Sequence, residues 1–238
     1  MFAARIPSDW LLAFCANLHQ RGIRQIGTEA LPTIVSALKH REDAIKLDGL
    51  AILMAISLRR DSAELLKGYV SDIGKLLDSQ NDRLQGVTVL TFDYLKPEPP
   101  PEVAPPLAAF VRRTDRYRDP IAQAGAFSLL LRIAPDNPDL TPALQAFVAR
   151  PMDEQTKGAV INGIANSHTE NVVATDFLIG ALEGPNEQTR FTAAQAFQRM
   201  PKEAVRHAQR ALRRAKERPD EAQEVKDAAK EALRKLGD

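Results

Sequence analysis

Six long polar side chains recur along the chain at nearly constant intervals, and this repeat restricts the possible folds more than any other feature. Successive members lie 39, 38, 34, 33 and 36 residues apart, and they are Lys46, Gln85, Gln123, Lys157, Arg190 and Lys226. A large apolar residue follows each member after seven residues, and most members are also followed by an apolar residue after four and after ten. Offsets of four and seven mark one face of an α-helix. The repeat therefore predicts six amphipathic helices built to one design.

A second series of apolar stripes lies between these six helices. The stripe from Leu31 to Leu38 is the first of them, and the stripe from Ala204 to Leu212 is the last. A single helical hairpin cannot bury its own apolar stripe, whereas stacked hairpins can. We therefore predict an all-α, right-handed superhelix (solenoid) of about six hairpins in one domain, 1–238, with an N-terminal capping helix at about 8–20. The predicted units are 27–60, 61–96, 97–138, 139–170, 171–201 and 202–238.

The template resembles the second helix of HEAT repeats. An acidic residue stands three positions before the long polar residue, and the resemblance covers roughly residues 27–238. In that family the acidic and basic residues form a ladder between neighbouring units, and the repeats generally hold protein partners. Three pairs match both positions, namely Asp43 with Lys46, Glu154 with Lys157, and Glu187 with Arg190. Pro120–Gln123 and Gln223–Lys226 depart from the pattern, so the resemblance implies a ladder that is interrupted there.

One compositional break divides the repeat, at the proline-rich insert 96–106 (KPEPPPEVAPP). Proline lacks an amide hydrogen and fixes φ, so we expect this stretch to be extended and fairly stiff rather than helix interior. Three interpretations follow. The insert is an elongated loop between units two and three, a recognition segment for a proline-binding domain, or a hinge between two lobes.

Charge and cysteine content narrow the functional classes. The 32 basic and 31 acidic residues leave a net charge of +1, whereas a general nucleic-acid binder is usually strongly basic. Cys15 is the single cysteine, so a disulfide within the chain is impossible and a reducing, cytoplasmic location is favoured. The longest apolar run, Leu50–Leu58, is too short to span a bilayer.

No catalytic or metal-binding pattern emerges from the sequence. The four histidines have no second ligand at zinc spacing, and none begins the His-Glu dipeptide by which some HEAT-like hydroxylases bind iron. Cys15 has no neighbouring base that would lower its pKa. Glycine-rich phosphate loops are absent. We therefore predict that the chain is not an enzyme and uses no metal or cofactor.

Two sets of residues are candidates for binding. The first is the polar row Lys46, Gln85, Gln123, Lys157 and Arg190, which is interpreted either as a stacking ladder or as a binding site. The second set is Arg206, Arg210, Arg213 and Arg214, which offsets of four, seven and eight place on one side of a helix. That cluster either contacts phosphate or an acidic partner, or is simply a solvated outer face.

The prediction for function is a non-enzymatic scaffold that binds a protein partner along the solenoid surface. Two alternatives come from related repeat proteins. A HEAT-like DNA glycosylase, or another nucleic-acid-binding repeat protein, needs a basic concave surface and aromatic residues at the lesion. This chain offers one tryptophan and three tyrosines, Trp10, Tyr69, Tyr94 and Tyr117. A bilin-lyase-like protein is the other alternative, although no residue that would handle a cofactor supports it.

Overall fold

A computed structural model describes residues 28–113 and 120–237, and in these ranges the chain is helical and contains no strand. The predicted capping helix at 8–20 and Cys15 lie outside these ranges. The helices are α1 (Leu31–Ala37), α2 (Asp43–Ser57), α3 (Ser62–Lys67), α4 (Val70–Gly74), α5 (Asp82–Asp93), α6 (Ala104–Arg112), α7 (Pro120–Ile133), α8 (Leu140–Val148), α9 (Glu154–Ser167), α10 (Val172–Leu182), α11 (Glu187–Arg199), α12 (Lys202–Glu217) and α13 (Gln223–Leu233). The all-α prediction is confirmed.

The chain divides into two compact units, 1–107 and 108–238. In the first unit, α1 packs on α2, and α2 packs on α5. In the second unit, the template helices α7, α9, α11 and α13 stack in chain order, while α8, α10 and α12 form a second layer. Helices that are adjacent in a layer come from consecutive hairpins, which is the arrangement that the repeat predicts.

The template positions form the core of both units. The residues seven positions after the polar row are almost fully buried: Leu53, Phe92, Leu130, Ile164, Phe197 and Leu233 expose at most 2% of their surface. The residues four positions after it are buried in five hairpins, and the exception, Lys230, is exposed. The helical period in the sequence therefore identified the buried face of each template helix correctly.

The proline-rich insert is less extended than predicted. Pro100 has the polyproline-like angles φ −70° and ψ 153°, but a 3₁₀ turn, Pro101–Val103, follows it and runs directly into α6. Pro105 and Pro106 lie in the first turn of that helix. Proline is tolerated there because the first amide groups of a helix have no intrahelical acceptor. The extended prediction for 96–106 is thus wrong from Pro101 onwards.

Two local details also differ from the sequence pattern. The first helix of the second hairpin is broken into α3, α4 and a 3₁₀ turn, Lys75–Asp78. At the other end of the chain, the spacing of Asp220 and Gln223 suggests a capping box, but α13 is preceded by Ala222 and has no side-chain cap. Within the described residues, no helix is long and apolar enough to cross a membrane.

Candidate functional site

Helix α12 carries the most unequal distribution of charge among the described helices. Its buried face is built from small apolar residues, namely Ala204, Val205, Ala208, Ala211, Leu212 and Ala215. Its exposed positions include six Lys or Arg residues and two Glu residues, which gives the helix a net charge of +4. Since the whole chain sums to +1, the remaining residues together carry −3. The net positive charge of the chain is therefore concentrated on this helix.

One edge of this face is tied to the neighbouring helix α10. The Nε2 atom of His207 lies 2.8 Å from Oδ1 of Asp176, and Arg214 forms an ion pair with Glu183. His207 and Arg214 are seven residues apart, and so are their partners Asp176 and Glu183. The two contacts therefore repeat with the helical period. These contacts occupy the α10-facing edge of α12.

The outer edge of α12 presents Arg206, Arg210 and Arg213. All three are exposed, and the offsets of four and seven spread them over about 10 Å along the helix axis. Arg206 has only a long contact, 3.9 Å from Nη1 to Oε1 of Glu203. Arg210 forms no hydrogen bond or ion pair with the described residues. The structure thus brings the predicted arginine cluster to one surface, with Arg214 turned toward α10.

The polar row lies in a different place, where consecutive hairpins meet. Gln85 and Gln123 are buried, and the Gln85 amide donates to the Ser79 carbonyl oxygen at 2.7 Å. The Oε1 atom of Gln123 accepts a hydrogen bond from Arg150 of the next hairpin at 3.3 Å. These two members of the row are therefore engaged inside the stack.

Lys46 and Lys157 each bind the acidic residue of their own helix. The Nζ atoms lie 2.8 Å from Asp43 Oδ1 and 2.8 Å from Glu154 Oε1, respectively. The following hairpin reaches the same carboxylates, because Asn81 donates to Asp43 at 3.0 Å and Thr189 donates to Glu154. Hydrogen bonds from these lysines lower the pKa of Asp43 and of Glu154, and the Asn81 and Thr189 bonds lower them further.

Arg190 departs from the ladder that the resemblance implies. Its guanidinium binds Glu221 of the following hairpin rather than Glu187, with Nη2 2.8 Å from Oε1, and it also donates to the carbonyl oxygens of Gly184 and Pro185. The Glu221 side chain is only 1% exposed and that of Arg190 only 12% exposed. The sequence pattern did not identify Glu221 because this residue lies in the loop before α13, outside the helical template.

A shallow cavity of about 490 Å³ opens between α8 and α10. Its walls include Val148, Val173, Phe177 and Gly180, together with the ion-paired Glu154 and Lys157. The cavity does not contain the arginine cluster. In the described ranges no group of three His, Cys, Asp or Glu side chains is placed to hold a metal ion.

Comparisons with known proteins identify the fold. No family model and no curated protein matches this chain. A crystal structure of an engineered protein superposes with a TM-score of 0.62 at 15% identity, and the alignment covers 87% of this chain and 98% of that one. A second engineered protein gives a TM-score of 0.62 at 16% identity and covers 99% of this chain and 66% of its own.

A natural protein is among the similar structures. The archaeal HEAT-like repeats protein from Thermococcus onnurineus NA1 superposes with a TM-score of 0.58 at 16% identity, covering 97% of this chain and 93% of that one. At this level of identity the likeness concerns the fold. The chain therefore has an all-helical fold of the HEAT-like repeat type, as the template predicted.

Proposed function

We propose that this chain is a non-enzymatic interaction scaffold that binds an acidic segment of a protein partner on the exposed face of α12. The observation that supports this is the segregation of charge, with +4 on one helix of a chain whose net charge is +1. Cations held on one face repel one another, and an acidic partner relieves this repulsion while giving specificity and a faster encounter.

The stack of hairpins supplies the rigid support that such a surface needs. The buried face of α12 is anchored by the alanine-rich core, and the α10-facing edge is held by Asp176 and Glu183. Arginine side chains on a fixed helix can form two-point contacts with carboxylates. The outer edge residues Arg206 and Arg210 are the ones that we expect to meet the partner.

The extent of the cationic surface favours an acidic protein segment over nucleic acid. Glu203 and Glu217 flank the arginine cluster, and the cationic residues between them, Arg206 to Lys216, span about 15 Å at 1.5 Å per residue. A duplex extending past it would meet a surface that is negative overall. Proteins that bind single strands or damaged bases also use aromatic stacking, and α12 carries no Phe, Tyr or Trp.

The test is binding of a labelled glutamate-rich peptide, measured by fluorescence anisotropy at several salt concentrations. The double substitution Arg206→Glu/Arg210→Glu should weaken binding about tenfold or more, and added salt should weaken wild-type binding. The matched control is Lys230→Glu/Arg234→Glu, which changes charge equally at the same spacing on exposed positions of the last hairpin.

Two outcomes would contradict the proposal. Equal binding by the wild type and the α12 variant would exclude this face as the site. Duplex DNA that binds as tightly as the peptide, and that is lost in the same variant, would instead support the nucleic-acid-binding alternative.

A further inference from the structure

A second surface, formed by α9 and α11, has the opposite chemistry from α12. Five exposed primary amides lie on it, and we call this set the amide face: Gln155, Asn162 and Asn166 of α9, with Gln188 and Gln195 of α11. The α9 residues stand two before, five after and nine after Lys157, and the α11 residues stand two before and five after Arg190. Equivalent positions of neighbouring template helices therefore carry the same functional group.

Most exposed helix faces are dominated by Lys, Glu and Arg, whereas this face contains a single charge. Arg199 occupies the remaining equivalent position of α11, nine residues after Arg190. Gly158 and Ala159 lie between the amides of α9, and Phe191 and Thr192 lie between those of α11; all four are half-buried. Such a surface has little to offer a charged partner but provides both donors and acceptors to a neutral one.

Arg199 holds two of the amides in a defined orientation. Its Nη2 donates to Oδ1 of Asn162 at 3.1 Å, and its Nη1 donates to Oδ1 of Asn166 at 2.9 Å. A guanidinium group only donates hydrogen bonds, so both asparagines must contact it through oxygen. Their NH₂ groups are consequently left as donors at two exposed positions on the same side of α9.

The spacing of these donors suits an extended peptide. Side chains four residues apart on a helix have Cβ atoms about 5–6 Å apart. Alternate carbonyl groups of an extended strand point to the same side and repeat every two residues, which is about 6.7 Å. Small side-chain rotations therefore allow the two NH₂ groups to reach successive carbonyl oxygens along one edge of a strand.

The middle of the face leaves room for a backbone to approach. Gly158 lies between the Gln155 and Asn162 turns of α9, and a Cβ atom added there would meet nothing within 4 Å. Gln188 and Gln195 have no side-chain hydrogen-bond partner among the described residues, so their amides are available to a strand that crosses toward α11.

We infer that the amide face binds an extended peptide segment of a partner protein through its main chain. Because the contacts are made to backbone carbonyl and NH groups, recognition is largely independent of the peptide's side chains and charge. This inference goes beyond the acidic segment proposed for α12, because it concerns a different surface and a different ligand chemistry.

The experiment begins with an array of uncharged peptides of random sequence, and the peptide that binds most strongly is resynthesised. Gln195→Met and Asn166→Leu remove one amide each while keeping similar volumes. Each should weaken binding about 3- to 10-fold, since a neutral hydrogen bond contributes about 0.5–1.5 kcal/mol. The matched control is Gln145→Met on α8, another exposed glutamine on a different face. Thermal unfolding confirms that each variant is folded.

A chemical change in the peptide tests main-chain recognition directly. Replacing alternate amide bonds by esters weakens the carbonyl acceptor and removes the NH donor, so affinity should fall at every second position. Single alanine replacements of the peptide's side chains should change it little. Peptide binding that survives both amide substitutions, or that responds to side chains but not to esters, overturns the inference.

The two proposals can fail separately. If Arg206→Glu/Arg210→Glu abolishes binding of the uncharged peptide while Gln195→Met has no effect, the peptide binds at α12 and the amide face has no such role. If no peptide on the array binds, the inference is overturned, whereas the test of α12 with glutamate-rich peptide is unaffected.

Discussion

The Arg190 guanidinium and the Glu221 carboxylate form a two-point ion pair between consecutive hairpins, with Nη2 2.8 Å from Oε1 and Nε 2.9 Å from Oε2. The pair lies almost entirely out of solvent, and Ala222 adds a backbone NH at 3.1 Å from Oε1. Charge-assisted hydrogen bonds of this kind are stronger than neutral ones. This contact thus distinguishes Arg190 from the other members of the polar row.

Substitution of Arg190 should cost far more stability than substitution of the equivalent lysine. Arg190→Met leaves a buried carboxylate without its main partner, so we expect a loss of about 2–3 kcal/mol in the free energy of unfolding. Lys157→Met is the matched control, because its ion pair with Glu154 is 34% and 47% exposed and should contribute under about 1 kcal/mol. Urea denaturation measures both. Equal losses of stability in the two variants would show that Arg190 and Lys157 contribute equally, which would contradict the prediction.

Acid should weaken the same contact. Burial raises the pKa of Glu221, but hydrogen bonds from Arg190 and the Ala222 amide outweigh this effect, and the pKa lies below its ordinary value of 4.5. A carboxyl whose pKa is lowered by folding stabilises the folded state above its unfolded pKa, and this stability is lost as the pH falls through the folded pKa. The free energy of unfolding should therefore decline below about pH 4.5.

The Arg190→Met variant provides the control for this pH dependence. Without the guanidinium only the Ala222 amide and Arg218 oppose the effect of burial on the pKa of Glu221, so that pKa is lowered less and stability should fall less between about pH 5 and pH 3 than in the wild type. Denaturation curves recorded across this range for both proteins give the comparison. Parallel losses would assign the acid sensitivity to other carboxylates whose pKa is lowered, such as Asp72.

Two glycines should respond oppositely to alanine. A Cβ atom at Gly74 would lie 2.7 Å from the Cβ atom of Pro106, so Gly74→Ala should destabilise the protein by about 1–3 kcal/mol. At Gly180, inside α10, the same atom would meet nothing within 4 Å. Gly180→Ala should therefore raise the free energy of unfolding by about 0.5–1 kcal/mol through helix propensity. Thermal denaturation of the two variants checks both signs.

A buried serine connects the proline-rich insert to the second hairpin. The Ser62 hydroxyl donates to the Ser57 carbonyl oxygen at 2.7 Å and accepts from the Lys96 NH at 2.8 Å. Ser62→Ala leaves both backbone groups without this partner, and we expect a loss of about 2–3 kcal/mol. The exposed Ser71 is the control, since Ser71→Ala should change stability by less than about 0.5 kcal/mol. If Ser62→Ala left the free energy of unfolding unchanged, other groups would have to satisfy the Lys96 amide.

The sequence predicted best where one period governs many residues. Phe92 and Phe197 are buried at the offset that the template assigns to them, because an amphipathic helix is stabilised by packing its one apolar face against its neighbours. Contacts between distant loops follow no such period. Glu221 stands in a polar loop sequence, so nothing local indicates that its carboxylate is buried against a residue 31 positions earlier.

The candidate site shows the same difference. Spacing in the sequence predicts which residues share a helix face, but not which residues of other helices they contact. Spacing alone placed Arg206 and Arg210 on one helix face, and the structure agrees. Spacing could not show that Arg214 turns toward Glu183, because this depends on how α10 and α12 are aligned. The amide face was missed since asparagine and glutamine carry no charge and mark no apolar stripe, although their offsets from Lys157 and Arg190 would have revealed it.

The alanine-rich buried face of α12 has a consequence for how that helix is positioned. Side chains as small as Ala204, Ala208 and Ala211 form shallow ridges, whereas Val205 and Leu212 are the larger side chains on this face that a slide of one turn would displace. The contacts of His207 and Arg214 with α10 do not tolerate that slide, because both would be broken at once. Because both contacts are about half exposed, each contributes little free energy, so ionic strength modulates an alignment that the buried Val205 and Leu212 largely fix.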